Sequence, residues 1–365
     1  MARNRVIYQS EALFVSDNAA SALAAKHEQV ERVQSANFSY TINRQDVNQF
    51  GNLARIDSLV LDPPTVSVDF SYYLTDGFNE RALGFYVQNT GSSATVQANF
   101  ASGHMIGSSG KNIFIATAVE GTDINSDGAL TATDTVIGIG NAYVSDYSVD
   151  MSVGSLPTVS LSMEGANVRS VTNATALGSP AVEQEAGTPL GYNVTLPTPT
   201  SGTSTPITAL RPGDITVSLE NFDGDTVADL TGADGAHVQS VSLSLPLSRS
   251  PLDRLGSKFP FAREVDFPVN VSMSISAIVN ETTAMNLANK LQAGVQNATV
   301  TLKDENSSNA IIWTLKGAQV DSESFSSAIG SNQSVDLTLS AQVGGPADST
   351  AGLFCSGASA SGVFT

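Results

Sequence analysis

Phe38, Tyr40 and Ile42 alternate with polar residues, and so do Leu243, Leu245 and Leu247 at an offset of 205 (243 minus 38). The same period of two runs through Val66, Val68 and Phe70 with Val271, Met273 and Ile275, and through Val159, Leu161 and Met163 with Val335, Leu337 and Leu339. A period of two belongs to a strand with one buried and one wet face, so these runs predict antiparallel, half-solvated sheets. Helical periodicity is sparse. The stretch ETTAMNLANKLQAG from Glu281 places Ala284, Leu287, Ala288 and Leu291 on one side and stops at Gly294. The corresponding place in the first half reads DGFNERALGFYVQ.

The pairing of runs is part of a longer repeat. Val33, Gln34, Ser35, Ser39, Arg44 and Gly51 meet Val238, Gln239, Ser240, Ser244, Arg249 and Gly256, and the register continues without a gap through Pro63, Val66, Ser67 and Ser71 against Pro268, Val271, Ser272 and Ser276. A second block repeats at an offset of 176 (320 minus 144), with Val144, Ser148, Gly154, Ser155, Val159 and Leu161 against Val320, Ser324, Gly330, Ser331, Val335 and Leu337. The first copy therefore holds 29 additional residues (205 minus 176), expected within about 101–137. The fold class this predicts is mainly β (β-rich α+β): two tandem β-sandwich units from an internal duplication, each with a short flanking helix. The first unit is expected over 1–170, a Pro/Thr/Ser-rich linker over 171–210, the second unit over 211–345, and a Gly/Ser/Ala tail over 346–365, whose composition favours disorder by default while chain ends often order on assembly.

In both copies the two leading strands are joined by a long segment, NRQDVNQFGNLARID and SRSPLDRLGSKFPFARE. A tight hairpin needs two to five residues there, so a long loop kept twice predicts an ordered contact element. Arg44 with Asp46 and Arg249 with Asp253 stand at its root, and Gly51 matches Gly256. These six are the candidate intersubunit residues, an ordinary ion pair within the loop being the alternative.

Composition narrows the function. The net charge is −18 with only 14% of residues charged, so Ser, Thr, Asn and Gln clothe the surface and a phosphate-gripping role is disfavoured. The first residues, MARNRVIYQSEALFVSDN, lack the apolar core of a secretory signal. No run approaches the ~20 apolar residues of a membrane-spanning helix, and the lone Cys355 has no internal disulfide partner. A soluble protein made in a cytoplasm is the expectation. The histidines, His27, His104 and His237, read as surface residues away from any nucleophile motif. In GTDINSDGALTATD, Asp123, Asn125, Asp127, Gly128, Ala129 and Asp134 occupy positions 1, 3, 5, 6, 7 and 12 of a calcium loop, with a shorter Asp in place of the closing Glu. A Ca²⁺ site and a solvated turn are both open readings. Asp223, Asp225 and Asp234 read as a solvated acidic loop. With one tryptophan, Trp313 in the strand-like IIWTL, an aromatic-lined glycosidase cleft is hard to build. No catalytic residues and no enzyme are expected.

At this point NRVIYQSEALFV, RVQSANFSYTINRQDVNQFGNLARIDSLVLDPPTVSVDFSYYLTDGFNE and IGNAYVSDYSVDMSVGSLPTVSLSMEGANV, with ALRPGDI and SRSPLDRLGSKFPFAREVDFPVNVSMSISAI in the second copy, resemble tail tube proteins of long-tailed bacteriophages. The resemblance covers most of the chain outside the linker and tail. It implies a sandwich whose inner sheet joins those of its neighbours around a hollow tube, with the long loop reaching the adjacent ring. For a two-unit chain it implies trimeric, pseudo-hexameric rings stacked into the tube through which phage DNA passes without specific binding. The implied partners are further copies of the chain and tape-measure, tail-terminator and baseplate or tip proteins. The implied location is the virion tail, assembled in the host cytoplasm. A surface adhesin or carbohydrate-binding sandwich module is the alternative, suggested by the Thr/Ser-rich stretch and the calcium-like loop.

Overall fold

The computed structural model describes residues 11–17, 27–89, 98–105, 110–124, 128–183, 188–200, 210, 215–220, 236–257, 259–260, 262–279, 295–303, 309–330 and 332–357. The first half runs β1 (Glu11–Asp17), β2 (His27–Gln29), β3 (Val33–Thr41), β4 (Arg44–Val47), β5 (Asp57–Val60), β6 (Thr65–Tyr73), α1 (Phe78–Leu83), β7 (Gln88–Asn89), α2 (Ser102–Met105), β8 (Lys111–Thr117), β9 (Thr135–Ser152), β10 (Thr158–Gly165) and β11 (Asn167–Val171). The second runs β12 (Ile215–Glu220), β13 (Ala236–Pro246), β14 (Arg249–Leu252), β15 (Ala262–Val265), β16 (Val269–Val279), β17 (Gln296–Lys303), β18 (Asn309–Ser326), β19 (Ser334–Val343) and β20 (Gly352–Gly357). The fold is β-rich, and the alternating runs are strands.

Each half is a sandwich built the same way. One layer holds β3, β6, β10 and the end of β9 in the first unit, and β13, β16, β19 and the end of β18 in the second. The other layer holds β1, β8, the start of β9 and β11, against β12, β17, the start of β18 and β20. The 18-residue β9 and β18 pass from one layer to the other. Both bulge at matching points, between the pairs at Met163 and Ser162 and between those at Val320 and Ser322. A bulge lets one strand bend between layers without losing its ladder.

The two units share a sheet. β9 of the first pairs antiparallel with β13 of the second, from Ser240 opposite Ser152 to Pro246 opposite Asp146. Eight strands thus run β3-β6-β10-β9-β13-β16-β19-β18. One hydrophobic cluster spans both units, from Leu13 and Phe70 to Trp313 and Leu353. At its centre Phe100 stacks on Phe85 (ring centroids 4.3 Å) and meets the Trp313 indole edge-on (4.7 Å).

Three boundaries differ from the sequence expectation. The offset between matched core positions is 205 at β6, 185 at β8 (Ile115 against Val300) and 176 at β9. Twenty of the additional residues therefore precede β8 and nine lie between β8 and β9, so the elaboration begins upstream of 101. The 171–210 stretch, expected as a surface linker, builds part of the first unit: Leu177, Val194 and Leu196 are buried with Phe14 and Phe114 in a second cluster. The 346–365 stretch, set apart as a tail whose order the composition left open, contains β20. This strand pairs antiparallel with β18 and parallel with β7, so it ties the second unit to the first. Its composition hid it; Leu353, Phe354 and Cys355 are nonetheless all buried. The helix expected over 281–294 lies outside the described residues, while α1 occupies the matching place in the first unit.

Candidate functional site

The long loops are hairpin arms. β4 pairs with β5 from Arg44 opposite Val60, and β14 with β15 from Arg249 opposite Val265, the same register 205 residues apart. Gly51 and Gly256 turn both tips at φ of 91° and 87°, a left-handed conformation that only glycine adopts freely. Beside them Phe50 and Leu255 stand wholly exposed.

The two arms sit differently. That of the second unit lies on the first: the Arg249 guanidinium donates to the backbone carbonyls of His104 (2.9 Å), Arg263 (3.0 Å) and Val144 (3.4 Å), and lies 5.2 Å from the centre of the Tyr143 ring. Arg263 also faces that ring and pairs with Glu164 at 3.3 Å. Burial lowers the Arg249 pKa, without removing its charge. In the first unit Arg44 is exposed, and Asp46 pairs with Arg55 at 2.8 Å rather than with Arg44. That is the intraloop alternative, although the partner is the arginine across the arm. Asp253 is exposed near the other tip and forms no pair with Arg249 among the bonds described. Repetition pointed to Arg249; its targets, being carbonyls, carry no sequence signal.

The eight-stranded sheet ends in β3 on one side and the end of β18 on the other. Phe38, Tyr40 and Ile42, expected on a buried face, are 37%, 63% and 41% exposed, whereas Leu243, Leu245 and Leu247 are at most 1% exposed. The cause is the neighbour: β13 has β9 beside it, and β3 has no further strand on its outer side among the described residues. At the other end, the Gln319–Ser326 part of β18 pairs with β19 alone among the described strands. Phe325 there is 45% exposed, while its counterpart Val149 is buried.

The wet face of this sheet is laid out in rows. Ser35, Ser71, Ser160, Ser148, Ser244, Ser272 and Ser340 are successive cross-strand partners. Asp69 and Asp150 stand in the rows on either side, Asp336 in the row beyond that of Asp150, and none of the eight paired segments contains Lys or Arg.

Other candidates resolve locally. The buried Asp134 carboxylate accepts from the Thr131 amide (2.6 Å) and hydroxyl (2.9 Å), closing its own turn. Asp123, Gly128 and Ala129 are near it in sequence, while Asn125 and Asp127, like Asp223, Asp225 and Asp234, lie outside the described residues. Among the described residues, no group of three or more His, Cys, Asp or Glu is placed to hold a metal. His104 is a core residue rather than a surface one, packed 4.4 Å from Phe85, and burial with Arg249 and Lys111 nearby pushes its pKa well down. His27 is half-buried, and His237 is exposed.

No family model matches the chain, and no curated protein matches it. Among solved structures, 17 chains match. One belongs to the anti-feeding prophage (AFP) baseplate, determined by cryo-electron microscopy with sixfold symmetrisation. It is 13% identical, and the match covers 47% of this chain and 97% of that one with a TM-score of 0.27.

Proposed function

We propose that this chain is a structural virion protein that assembles as trimeric, pseudo-hexameric rings stacked into the hollow tail tube of a bacteriophage. The observation that carries the reading is the β9–β13 junction. Two copies of one unit are joined head to tail through their sheets, and the joined pair ends in the same two edges, β3 and β18, that the junction consumes. A heterologous contact of this kind repeats until it closes, and closure removes the open edges that otherwise invite aggregation. Three two-unit chains make six units.

The wet face suits a lumen. Hydroxyls and carboxylates without Lys or Arg offer a duplex no cation to exchange for its counterions, so DNA passes without being held. The exposed arm tips, with Phe50 and Leu255, reach the next ring in this reading. In this reading the protein has no catalytic residue and needs no cofactor, and its partners are its own copies and the proteins that measure, cap and terminate the tail.

Negative-stain electron microscopy of the purified chain across a concentration series, with mass measurement of soluble species, tests the proposal. Six-lobed rings of three chains, or hollow tubes, are expected. A particle that remains a monomer at every concentration, with or without a purified tail-tip complex as initiator, overturns it.

A further inference from the structure

Beside β3 runs a cleft of about 300 Å³ lined by Leu13, Val33, Gln34, Ala36, Ile115 and Thr200, among others. The second unit has the same cleft, between Ile215 and Val217 of β12 and Val238 to Val241 of β13, but only about 60 Å³ of it is open. What fills it is known: Met151, Ser152 and Val153, the end of β9 and the turn into β10, line the remainder. Val153 donates its amide to the Gln239 carbonyl at 2.9 Å. The position of each cleft relative to its strands is the same, since Leu13 pairs with Ile115 as Val217 pairs with Val300.

We propose that the open cleft receives the β18–β19 turn of a second copy of this chain, in the register of the internal junction. This rests on the ring reading and fixes its atomic pairing. Shifting the β9–β13 register by 176 and 205 places Phe325 opposite Phe38, Ser324 opposite Ser39 and Glu323 opposite Tyr40. The Ile329 amide then donates to the Gln34 carbonyl, as Val153 does to Gln239. The two phenylalanines, each exposed in the single chain, cover one another where Val149 and Leu243 are buried.

The side chains compensate across this second junction. Ala36 and Ser327 are smaller than Val241 and Met151, which they replace, and the room they leave is taken by Ile329, longer than Val153 and wholly exposed in the single chain. The backbone is ready for it. Gly154 and Gly330 hold the two turns at φ of 88° and 89°. β9 continues as strand through Ser152 because β13 pairs there, whereas β18 stops at Ser326, where its pairing with β19 ends.

Three double-cysteine variants test this under mild oxidation. S39C/S324C is expected to give chains linked into closed trimers, at the spacing of directly opposed strand residues, about 4.5–5.5 Å. S39C/S326C is displaced by two residues and is expected to link far less. S148C/S244C closes within one chain and reports that thiols on this sheet oxidise. I329S, whose side chain touches nothing the single chain needs, is expected to leave the melting temperature unchanged and to raise the concentration for ring formation by tenfold or more. Rings that link only through the displaced pair, or that form normally with I329S, overturn this pairing and leave the ring reading standing. Closure of the internal control without rings or any link between chains overturns both.

Discussion

Glu80 lies wholly inside the first unit, where the hydroxyls of Tyr72 and Tyr147 both donate to its Oε1, at 2.9 and 3.1 Å. Burial raises its pKa above the ordinary carboxylate value despite those bonds. A raised carboxyl pKa contributes stability that is complete at acid pH, below the unfolded value, and is lost as pH rises through the folded one. E80Q, which keeps the shape of the neutral acid, is therefore expected to match the parent near pH 4 and to melt at a higher temperature near pH 8. Calorimetry across that range checks it, and a parallel pair of curves refutes it. Arg249 and Arg44 make a second contrast. Removing the Arg249 guanidinium leaves three carbonyls without their donor, so R249A is expected to cost about 1–3 kcal/mol in urea unfolding and R249K to recover little of it. R44A, at the exposed equivalent, is expected to change monomer stability by under about 0.5 kcal/mol and to weaken assembly. Residue spacing made Arg44 and Arg249 visible. Glu80 sat unremarked in DGFNERALG, because nothing in a short apolar string says which carboxylate will be swallowed.

At the scale of elements, the strands with a strict period of two were legible because their burial is set by their own sheet. Legibility failed where burial depends on another element. β3 has the pattern of β13 and a different environment, and β20 has almost no pattern at all. Yet β20 buries Leu353, Phe354 and Cys355, and Leu353 accepts the Phe100 amide at 2.7 Å. Truncation after residue 350 is expected to cost about 3–6 kcal/mol, at roughly 1.5–3 kcal/mol for each of Leu353 and Phe354, and to weaken the coupling of the two units in denaturant titrations. The arms predict the opposite behaviour. Deleting residues 46–52 removes an exposed tip, so the variant is expected to fold and form rings while failing to stack. Tubes of normal length from it, seen by electron microscopy, count against the arm as a stacking element.

For the whole molecule, the proposed ring would bring together three chains of net charge −18 each. Like charges on separate subunits repel over about 10 Å at 0.1 M salt, so rings are expected to form at lower protein concentration as salt rises to ~0.15 M and beyond. Light scattering at fixed concentration reads this directly, and assembly that weakens with salt would mean that opposite charges hold the junction. The row of serines adds a quantity. From Ser35 it crosses β6, β10 and β9 to Ser244, whose counterpart on β3 is Ser39. Each four-strand unit thus advances the ladder by four residues, so in the proposed closed wall the stagger would equal the number of strands. In such a ring the strands would lean about 35° from the axis, and six units would enclose a barrel about 45 Å between opposite backbones. The calibre of the proposed channel thus depends on a single strand pairing inside each chain: a two-residue slip of β9 against β13 toward greater stagger, at the three internal junctions of a ring, steepens the lean and widens the bore by about 8%.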